Sequence, residues 1–299
     1  MEACKVVERF GLDPNQFTET ECLSMRHGHR IWRVNTGEGT KIIKWFPDRS
    51  SAAVEIGSYN LLRELGIPTL QVYGVLEDAL LLEDLSSSVR WRPASENDVA
   101  KEEVGAAVGR WYKTFHQSGS EFLKQGGHGM SFLKRETASL NAQAVDEAAR
   151  ALGLVDNPVW KVVADSLNLL KLTESSLGVT LCYNDFHWSN LALTREGSGS
   201  AEAVVYDYHL LGVGMPYSDY RNVIGSLGLE AAAAFRDEYG YIDPRESVID
   251  KPLSTIYTLV VASRLPRFPN WAQESRDAVM NGGLLRDIHE AIVLAEEIL

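Results

Sequence analysis

The sequence predicts an α+β chain in two parts: a small antiparallel β-sheet carrying one helix, then a larger, mainly helical part with a short β insert. Three observations predict it. Residues 18–46 repeat strand, short turn, strand, the signature of an antiparallel sheet. Residues 51–65 place Val54, Leu61, Leu62 and Leu65 on one helical stripe. Beyond a break at residues 83–88, apolar residues recur at helical spacing.

Thr18 to Met25 reads as the first strand and Arg26–Arg30 as a turn. Ile31 to Asn35 alternates Ile31, Arg33 and Asn35 against Trp32 and Val34. Thr36–Gly39 turns the chain again, and Lys41 to Phe46 is a third strand. The helix that follows stops at Gly66, with Pro68 just beyond it. Gln71 to Val75 and Ala79 to Leu82 are two more strands. Glu83-Asp84-Leu85-Ser86-Ser87-Ser88 then breaks the apolar run and reads as a hinge, dividing the chain into lobes 1–84 and 85–299. Past it, Val104, Val108, Trp111 and Phe115 share one buried helical face, and Val159, Val163, Leu167 and Leu170 another. Gly126–Gly129 is a flexible loop with no strand before it, so it lacks the context of a phosphate loop. Short strands at Val179–Cys182, Leu191–Thr194 and Ala203–Tyr206 make up the insert. The remainder is helical, broken at Asp243-Pro244, Pro266 and Asn281-Gly282-Gly283.

Charge narrows the function. The net charge of −12 disfavours a nucleic-acid backbone as partner. A cationic substrate fits this field, and so does plain solubility. Residues 1–90 carry 10 basic and 13 acidic residues and the rest 19 and 28, so the acidity is spread and locates no site. Cys4, Cys22 and Cys182 form neither a metal-ligand pair nor a disulfide framework, which points to a reducing compartment. Met1–Lys5 opens no signal peptide, and no apolar run is long enough for a membrane span. A soluble cytoplasmic protein is expected.

The chemistry is concentrated in Leu181–Leu193. Asp185 and Asn190 stand five positions apart there, and Asp207 ends the apolar run Ala203–Tyr206. An acid, an amide and a second acid are what magnesium-dependent phosphoryl transfer needs. One carboxylate takes the acceptor hydroxyl's proton, while an amide oxygen and the other carboxylate hold metal against the phosphates of ATP. Alone, Asp185 reads as a turn residue after a strand; with Asn190 and Asp207 at this spacing the catalytic reading is favoured. Asn190 as a turn residue and Asp207 as a strand-end cap are the plainer alternatives. Asp185-x-His187 also opens some metal hydrolases, but the other histidines show no second paired spacing, and a polar loop histidine is the simpler reading. Lys44 shares a strand face with Ile42 and Phe46 and should point inward, where it needs an anion; Glu55 on the next helix is the candidate. A lysine snorkelling at a sheet rim fits that stretch equally well. Lys41 should face solvent. The turn Arg26–Arg30, with Gly28 its one glycine, is a weak candidate for covering phosphates.

These residues, in this order, resemble the aminoglycoside phosphotransferase / choline kinase family of small-molecule kinases. The likeness takes in Lys44, Glu55, Leu65-Gly66-Ile67-Pro68, Leu81–Leu85, Trp111–His116, the Asp185 loop, Asp207 and Gly214–Asp219. It implies a protein-kinase-like bilobal fold, a nucleotide-binding lobe 1–84 and a catalytic and acceptor-binding lobe 85–299. It implies Asp185 as base, Asn190 and Asp207 as Mg2+ ligands, Lys44 on the phosphates and Glu55 orienting Lys44. The backbone from Glu83 to Leu85 would bind adenine, and Asp219 would brace the catalytic loop. The family usually has His-Gly-Asp or His-Asn-Asp where this chain has Tyr183-Asn184-Asp185, so loop support differs while the base is intact. Tyr208-His209 follows Asp207 where an acid is usual.

The expected activity is ATP- and Mg2+-dependent phosphorylation of a hydroxyl on a small molecule. Candidate acceptors are an aminoglycoside or other antibiotic, an amino alcohol such as choline or ethanolamine, a sugar, or homoserine. Glu230, Asp237, Glu238 and Asp243 fall where a cationic acceptor would be met, though surface solvation explains them as well. The alternative is a kinase-like protein that binds nucleotide or ligand without turnover; the intact Lys44, Asp185, Asn190 and Asp207 argue against it. The weak glycine turn and the lack of Asp-Phe-Gly argue against a protein kinase.

Overall fold

The computed structural model describes residues 3–12, 20–26, 28–37, 39–127, 130–195 and 200–299. His27 of the expected phosphate-covering turn, Glu38 of the next turn, His128 and Gly129 of the glycine loop, and Thr18 and Glu19 at the start of the first strand lie outside them. In chain order the elements are α1 (Ala3–Arg9), β1 (Thr20–Arg26), β2 (His29–Thr36), β3 (Gly39–Trp45), α2 (Arg49–Glu64), β4 (Val72–Leu76), β5 (Ala79–Glu83) and β6 (Trp91–Pro93). Then come α3 (Glu102–Lys124), β7 (Lys134–Arg135), α4 (Ala142–Ala151), α5 (Val159–Leu177), β8 (Thr180–Cys182), β9 (Leu191–Thr194), β10 (Ala203–Val205) and β11 (Gly212–Gly214). The chain ends with α6 (Pro216–Ser226), α7 (Leu229–Tyr239), α8 (Pro244–Ala262), α9 (Gln273–Met280) and α10 (Gly283–Ile298). It divides into two compact units. The first comprises Met1–Leu133, Tyr183–Leu211 and Asn222–Gly240, and the second Lys134–Cys182, Gly212–Arg221 and Tyr241–Leu299.

In the first unit an antiparallel sheet has the order β1-β2-β3-β5-β4. Its period-2 alternation sorts side chains between two environments. Trp32, Val34, Ile43, Ala79 and Leu81 form a buried core with Val6 and Val7 of α1. The intervening Ile31, Arg33, Ile42, Lys44 and Leu82 line a cavity. One residue of register slip would exchange the two sets. The helix α2 is set by its ends: Asp48 accepts the Ser51 N–H at 2.8 Å, and Gly66, with φ +69°, lets the Ile67 N–H return to the Leu62 carbonyl. Both ends match the sequence reading. Glu55 is thereby held on a buried face with Tyr59, Leu61 and Leu62.

The expected insert proves to be two small sheets. β10, β9 and β6 form one in the first unit, while in the second β11 lies between β7 and β8 and pairs with both. The strands that complete them, at residues 91–93, 134–135 and 212–214, are too short to carry a period and could not be seen in sequence.

The long helix α3 buries Val104, Val108, Trp111 and Phe115 as expected, with Tyr112. It packs closely on α7, where the Cβ absent from Gly105 would fall 2.0 Å from the Ala231 carbonyl oxygen. Tyr112 also meets Phe186 edge-on, with ring centroids 6.0 Å apart, which ties the residue after Asp185 to the α3 core. In the second unit α4, α5, α8, α9 and α10 surround a core that includes Val163, Leu170, Ile256, Leu259, Leu284 and Ile288. Its helix breaks fall at the turn signals: Asp243 caps α8, with Pro244 in its first turn, and Gly282, with φ +77°, precedes α10.

Candidate active site

Seven of the eight expected site residues lie in the first unit: Lys44, Glu55, Glu83, Leu85, Asp185, Asn190 and Asp207. Lys44 is buried on β3, and its Nζ lies 2.7 Å from Asp207 Oδ1 and 2.9 Å from Glu55 Oε1. Burial opposes a charge on the amine, but the fields of Glu55 and Asp207 more than offset it and raise the pKa, so Lys44 keeps its proton. The rim-lysine reading is thereby set aside. Lys41 is half-buried rather than free in solvent, with its Nζ 3.5 Å above the Tyr73 ring.

Asp207 is held by a second contact, from His209 Nδ1 at 2.9 Å. Burial by itself would raise its pKa, but the His209 bond and the Lys44 charge hold the carboxyl well below its usual range. Glu55, Asp207 and His209 bring three donor atoms within 4.8 Å of one another. The Lys44 ammonium already bridges two of them, so this grouping is partly neutralised from inside the protein. His187, the histidine of the metal-hydrolase alternative, stands outside it and is exposed, with Nδ1 2.9 Å from Ser189 Oγ.

Asp185 and Asn190 are joined directly. The Asn190 amide donates to Asp185 Oδ2 at 2.9 Å and to the Asp185 carbonyl at 3.3 Å. Using the amide nitrogen this way leaves Asn190 Oδ1 as the atom available to a cation. Burial raises the Asp185 pKa, the Asp207 charge adds to the rise, and His209 and the Asn190 bond oppose it. A carboxylate made more basic in this manner is the better proton acceptor for a hydroxyl. An Asn190 oxygen and an Asp207 carboxylate are the hard donors that suit Mg2+, which fills its shell with water and phosphate oxygens.

The backbone here is unusual. Asn184 has φ +65° and Asp207 φ +67°, and they are the non-glycine residues with positive φ among those described. Asn and Asp tolerate this region best, so the Asn of Tyr183-Asn184-Asp185 meets a conformational demand that a glycine would also meet. The Asn184 side chain donates to the Leu210 carbonyl at 3.1 Å.

Sequence reasoning missed a tyrosine lattice that carries these strained residues. Fully buried Tyr183 donates its hydroxyl to the Tyr206 carbonyl, Tyr206 to the Ser189 carbonyl, and Tyr208 to the Val205 carbonyl. The Tyr206 N–H bonds the Asn190 carbonyl at 3.0 Å. Tyr206, the residue before Asp207, is thus fastened to Ser189 and Asn190. The departure at Tyr183 therefore does not leave the loop unsupported.

A cavity of 290 Å³ opens beside Lys44, lined by Ile31, Ile42, Leu70 and Leu82, by Glu83 to Ser86 of the hinge, and by Glu55, Tyr59 and Asp207. Glu83 and Leu85, the residues proposed for adenine, are among its lining. Asp219 lies in the second unit, in the first turn of α6, wholly buried. Of the acids named for a cationic acceptor, Glu238 pairs with Arg110 at 3.2 Å and Asp243 caps α8 and pairs with Arg245. Glu230 and Asp237 are exposed.

A family model described as the phosphotransferase enzyme family matches residues 23–246, a stretch that contains every site residue named above. The chain belongs to this family. Its fold is shared with solved structures of low sequence identity. Choline kinase LicA of Streptococcus pneumoniae aligns over 94% of this chain and 98% of its own, with a TM-score of 0.58 and 14% identity. An ethanolamine kinase of Plasmodium vivax aligns over 96% and 88%, with a TM-score of 0.63 and 15% identity. The phosphotransferase APH(2")-IIa, solved as a ternary complex with streptomycin and ATP, aligns over 94% and 97%, with a TM-score of 0.60 and 13% identity. A search of curated proteins by sequence finds no match. The fold of this phosphotransferase is protein-kinase-like and α+β, and among its described residues no helix is long and apolar enough to cross a membrane.

Proposed function

We propose that the chain is an ATP- and Mg2+-dependent kinase of a hydroxyl group on a small molecule. The observation that carries this reading is the buried Lys44, bridged between Glu55 and Asp207 at the wall of the cavity bordered by the hinge. That cation is placed to meet the phosphates of a nucleotide whose base lies against Glu83 to Leu85. Asn190 and Asp207 are the metal ligands, and the ion supplies charge neutralisation at the phosphoryl group. Asp185, held by Asn190, accepts the acceptor's proton as its oxygen attacks. Asp219 acts as a structural acid. In this reading residues 1–84 form the nucleotide-binding lobe and residues 85–299 the catalytic and acceptor-binding lobe.

The acceptor belongs with amino alcohols such as choline and ethanolamine, or with aminoglycosides. The net charge of −12 supports a cationic molecule, and so do the substrates named for the similar structures. A sugar or homoserine is the less favoured acceptor, since neither carries the net positive charge that this field favours.

The test is an ATP-consumption screen over amino alcohols, aminoglycosides, other antibiotics and sugars. With the acceptor found, Asp185→Ala is expected to lower turnover by ~10²–10⁴ and leave nucleotide affinity nearly unchanged. Asp207→Ala is expected to weaken Mg2+-dependent ATP binding measured by calorimetry. Nucleotide binding with no consumption across the screen favours the non-catalytic alternative, and full turnover in Asp185→Ala removes that residue as base.

A further inference from the structure

The cavity wall formed by the hinge has an uneven supply of hydrogen-bonding groups. The Asp84 carbonyl accepts from the Ser87 and Ser88 N–H groups, and the Ser86 N–H is taken by Asp84 Oδ1. Three further carbonyls are capped by a single side chain from outside the segment. Arg195, immediately after β9, donates Nε to the Ser88 carbonyl at 2.7 Å. Its Nη2 donates to the Leu85 carbonyl at 3.1 Å and reaches the Ser86 carbonyl at 3.4 Å. The Arg195 backbone N–H also bonds the Arg90 carbonyl at 2.9 Å, which fixes where the guanidinium begins. Among the described residues the Leu85 N–H has no hydrogen-bond partner. At Leu85, which lines the cavity, the hinge therefore offers an open donor beside an acceptor already engaged by a cation.

We infer that Arg195 makes the nucleotide site select adenine over guanine. This rests on the reading of the cavity as the nucleotide site. Adenine presents an unprotonated ring nitrogen between its amino group and C2, an acceptor suited to the Leu85 N–H. Guanine carries a hydrogen on the corresponding nitrogen and an amino group beside it, so its edge holds two adjacent donors. Placed in the same way, it sets N–H against N–H. Shifted so that its carbonyl oxygen meets the Leu85 N–H, it needs the Leu85 carbonyl for its own donors. That carbonyl keeps a second lone pair, but the guanidinium charge beside it repels an approaching N–H. A buried donor left unpaired is penalised more heavily than a formed bond is rewarded, which is what makes such a site discriminate. Arg195 is a positioning residue in this scheme and touches no reacting atom.

The experiment measures dissociation constants for ATP and GTP, each with Mg2+, by displacement of a fluorescent nucleotide analogue. The proteins are the wild type, Arg195→Met, which keeps the apolar stem, and Arg195→Lys, whose single ammonium cannot cap all three carbonyls. The wild type is expected to prefer ATP by about tenfold or more, the cost of one unpaired group. Arg195→Met is expected to bring the ratio towards one, chiefly by improving GTP binding, with Arg195→Lys in between. A general loosening of the hinge would weaken both nucleotides and leave the ratio alone. That result, or a wild-type ratio near one, overturns the inference. If Arg195→Met does not fold, an unchanged ratio in Arg195→Lys overturns it equally. Failure of the wild type to bind either nucleotide overturns instead the reading of the cavity on which the inference stands.

Discussion

At the scale of single residues, the site is organised by groups that hold other groups. Asp185 stands out in the sequence because an acid and an amide five positions apart, followed by Asp207, favour one shared site over separate turn residues. Lys44 and Glu55 are readable for a related reason: an inward cation on a strand demands an anion, and the next helix supplies one. Tyr183, Tyr206, Tyr208 and Arg195 were not readable in these roles. Each works through a bond to a backbone carbonyl, and a carbonyl has no sequence identity to search for. Tyr183 gives the clearest test. Tyr183→Phe keeps the buried ring and removes the hydroxyl that the Tyr206 carbonyl accepts. Leaving that carbonyl unpaired should cost ~1–3 kcal/mol of stability, read as a lower denaturant midpoint with an unchanged slope. Because Tyr206 immediately precedes Asp207, Mg2+-dependent nucleotide binding should weaken as well. A variant as stable as the wild type would show that the carbonyl finds another donor.

At the scale of elements, the helices and the long strands follow their apolar periods closely, β8, β9 and β10 show as short apolar runs, and β6, β7 and β11 leave no signal. A helix of 23 residues such as α3 repeats its pattern several times, whereas β7 has two residues and no period at all. Its pairing with β11 comes from chain geometry, and β8 was separated from β9 and β10 for the same reason. Two glycines yield a prediction of opposite signs: Gly105 of α3, packed on α7, and Gly225 of α6. In a helix interior Gly→Ala ordinarily gains about 1 kcal/mol. At Gly225, the penultimate residue of α6, a Cβ meets nothing within 4 Å, so Gly225→Ala should gain a part of that, about 0.5 kcal/mol. At Gly105 the new Cβ would collide with the backbone of Ala231, so Gly105→Ala should lose ~3 kcal/mol or more despite its better propensity. Thermal denaturation of both variants checks the signs. Equal effects would mean that α3 and α7 move apart freely.

At the scale of the molecule, acidity is both spread out and selectively buried. In the second unit, burial pushes the Glu136 and Glu246 carboxyls up to about 7 from an ordinary 4.5. A carboxyl whose folded pKa is raised binds its proton more tightly in the folded state. Stability should therefore be highest below pH 4.5 for these two groups and be lost as pH rises from about 4.5 to 7. Asp98 and Asp207 act in the opposite sense, but their depressed pKa values confine that effect to pH below their ordinary 3.8. Glu246→Gln keeps an acceptor for the Tyr217 N–H and removes the titration, so its melting temperature should fall less between pH 5 and pH 7 than that of the wild type. Parallel curves would place the titration elsewhere. Composition fixed the protein's net charge but gave no hint of these shifts, because they depend on which of the acids the fold removes from water.

The bridge from Lys44 to Glu55 and Asp207 has one more consequence, for the order in which ligands arrive. A divalent ion approaching Asp207 alone meets a carboxylate already paired with an ammonium, and it must displace that ammonium, which Glu55 also holds. On the proposed reading, the phosphates of a nucleotide would give that ammonium a new anion and release Asp207 in the same event. Metal and nucleotide should therefore enter as a partnership rather than in succession. Millimolar Mg2+ added alone should barely move the melting temperature, ATP without metal should move it slightly, and the two together should exceed the sum of both shifts. A large shift from Mg2+ alone would mean that the lysine yields its carboxylate far more easily than its surroundings imply.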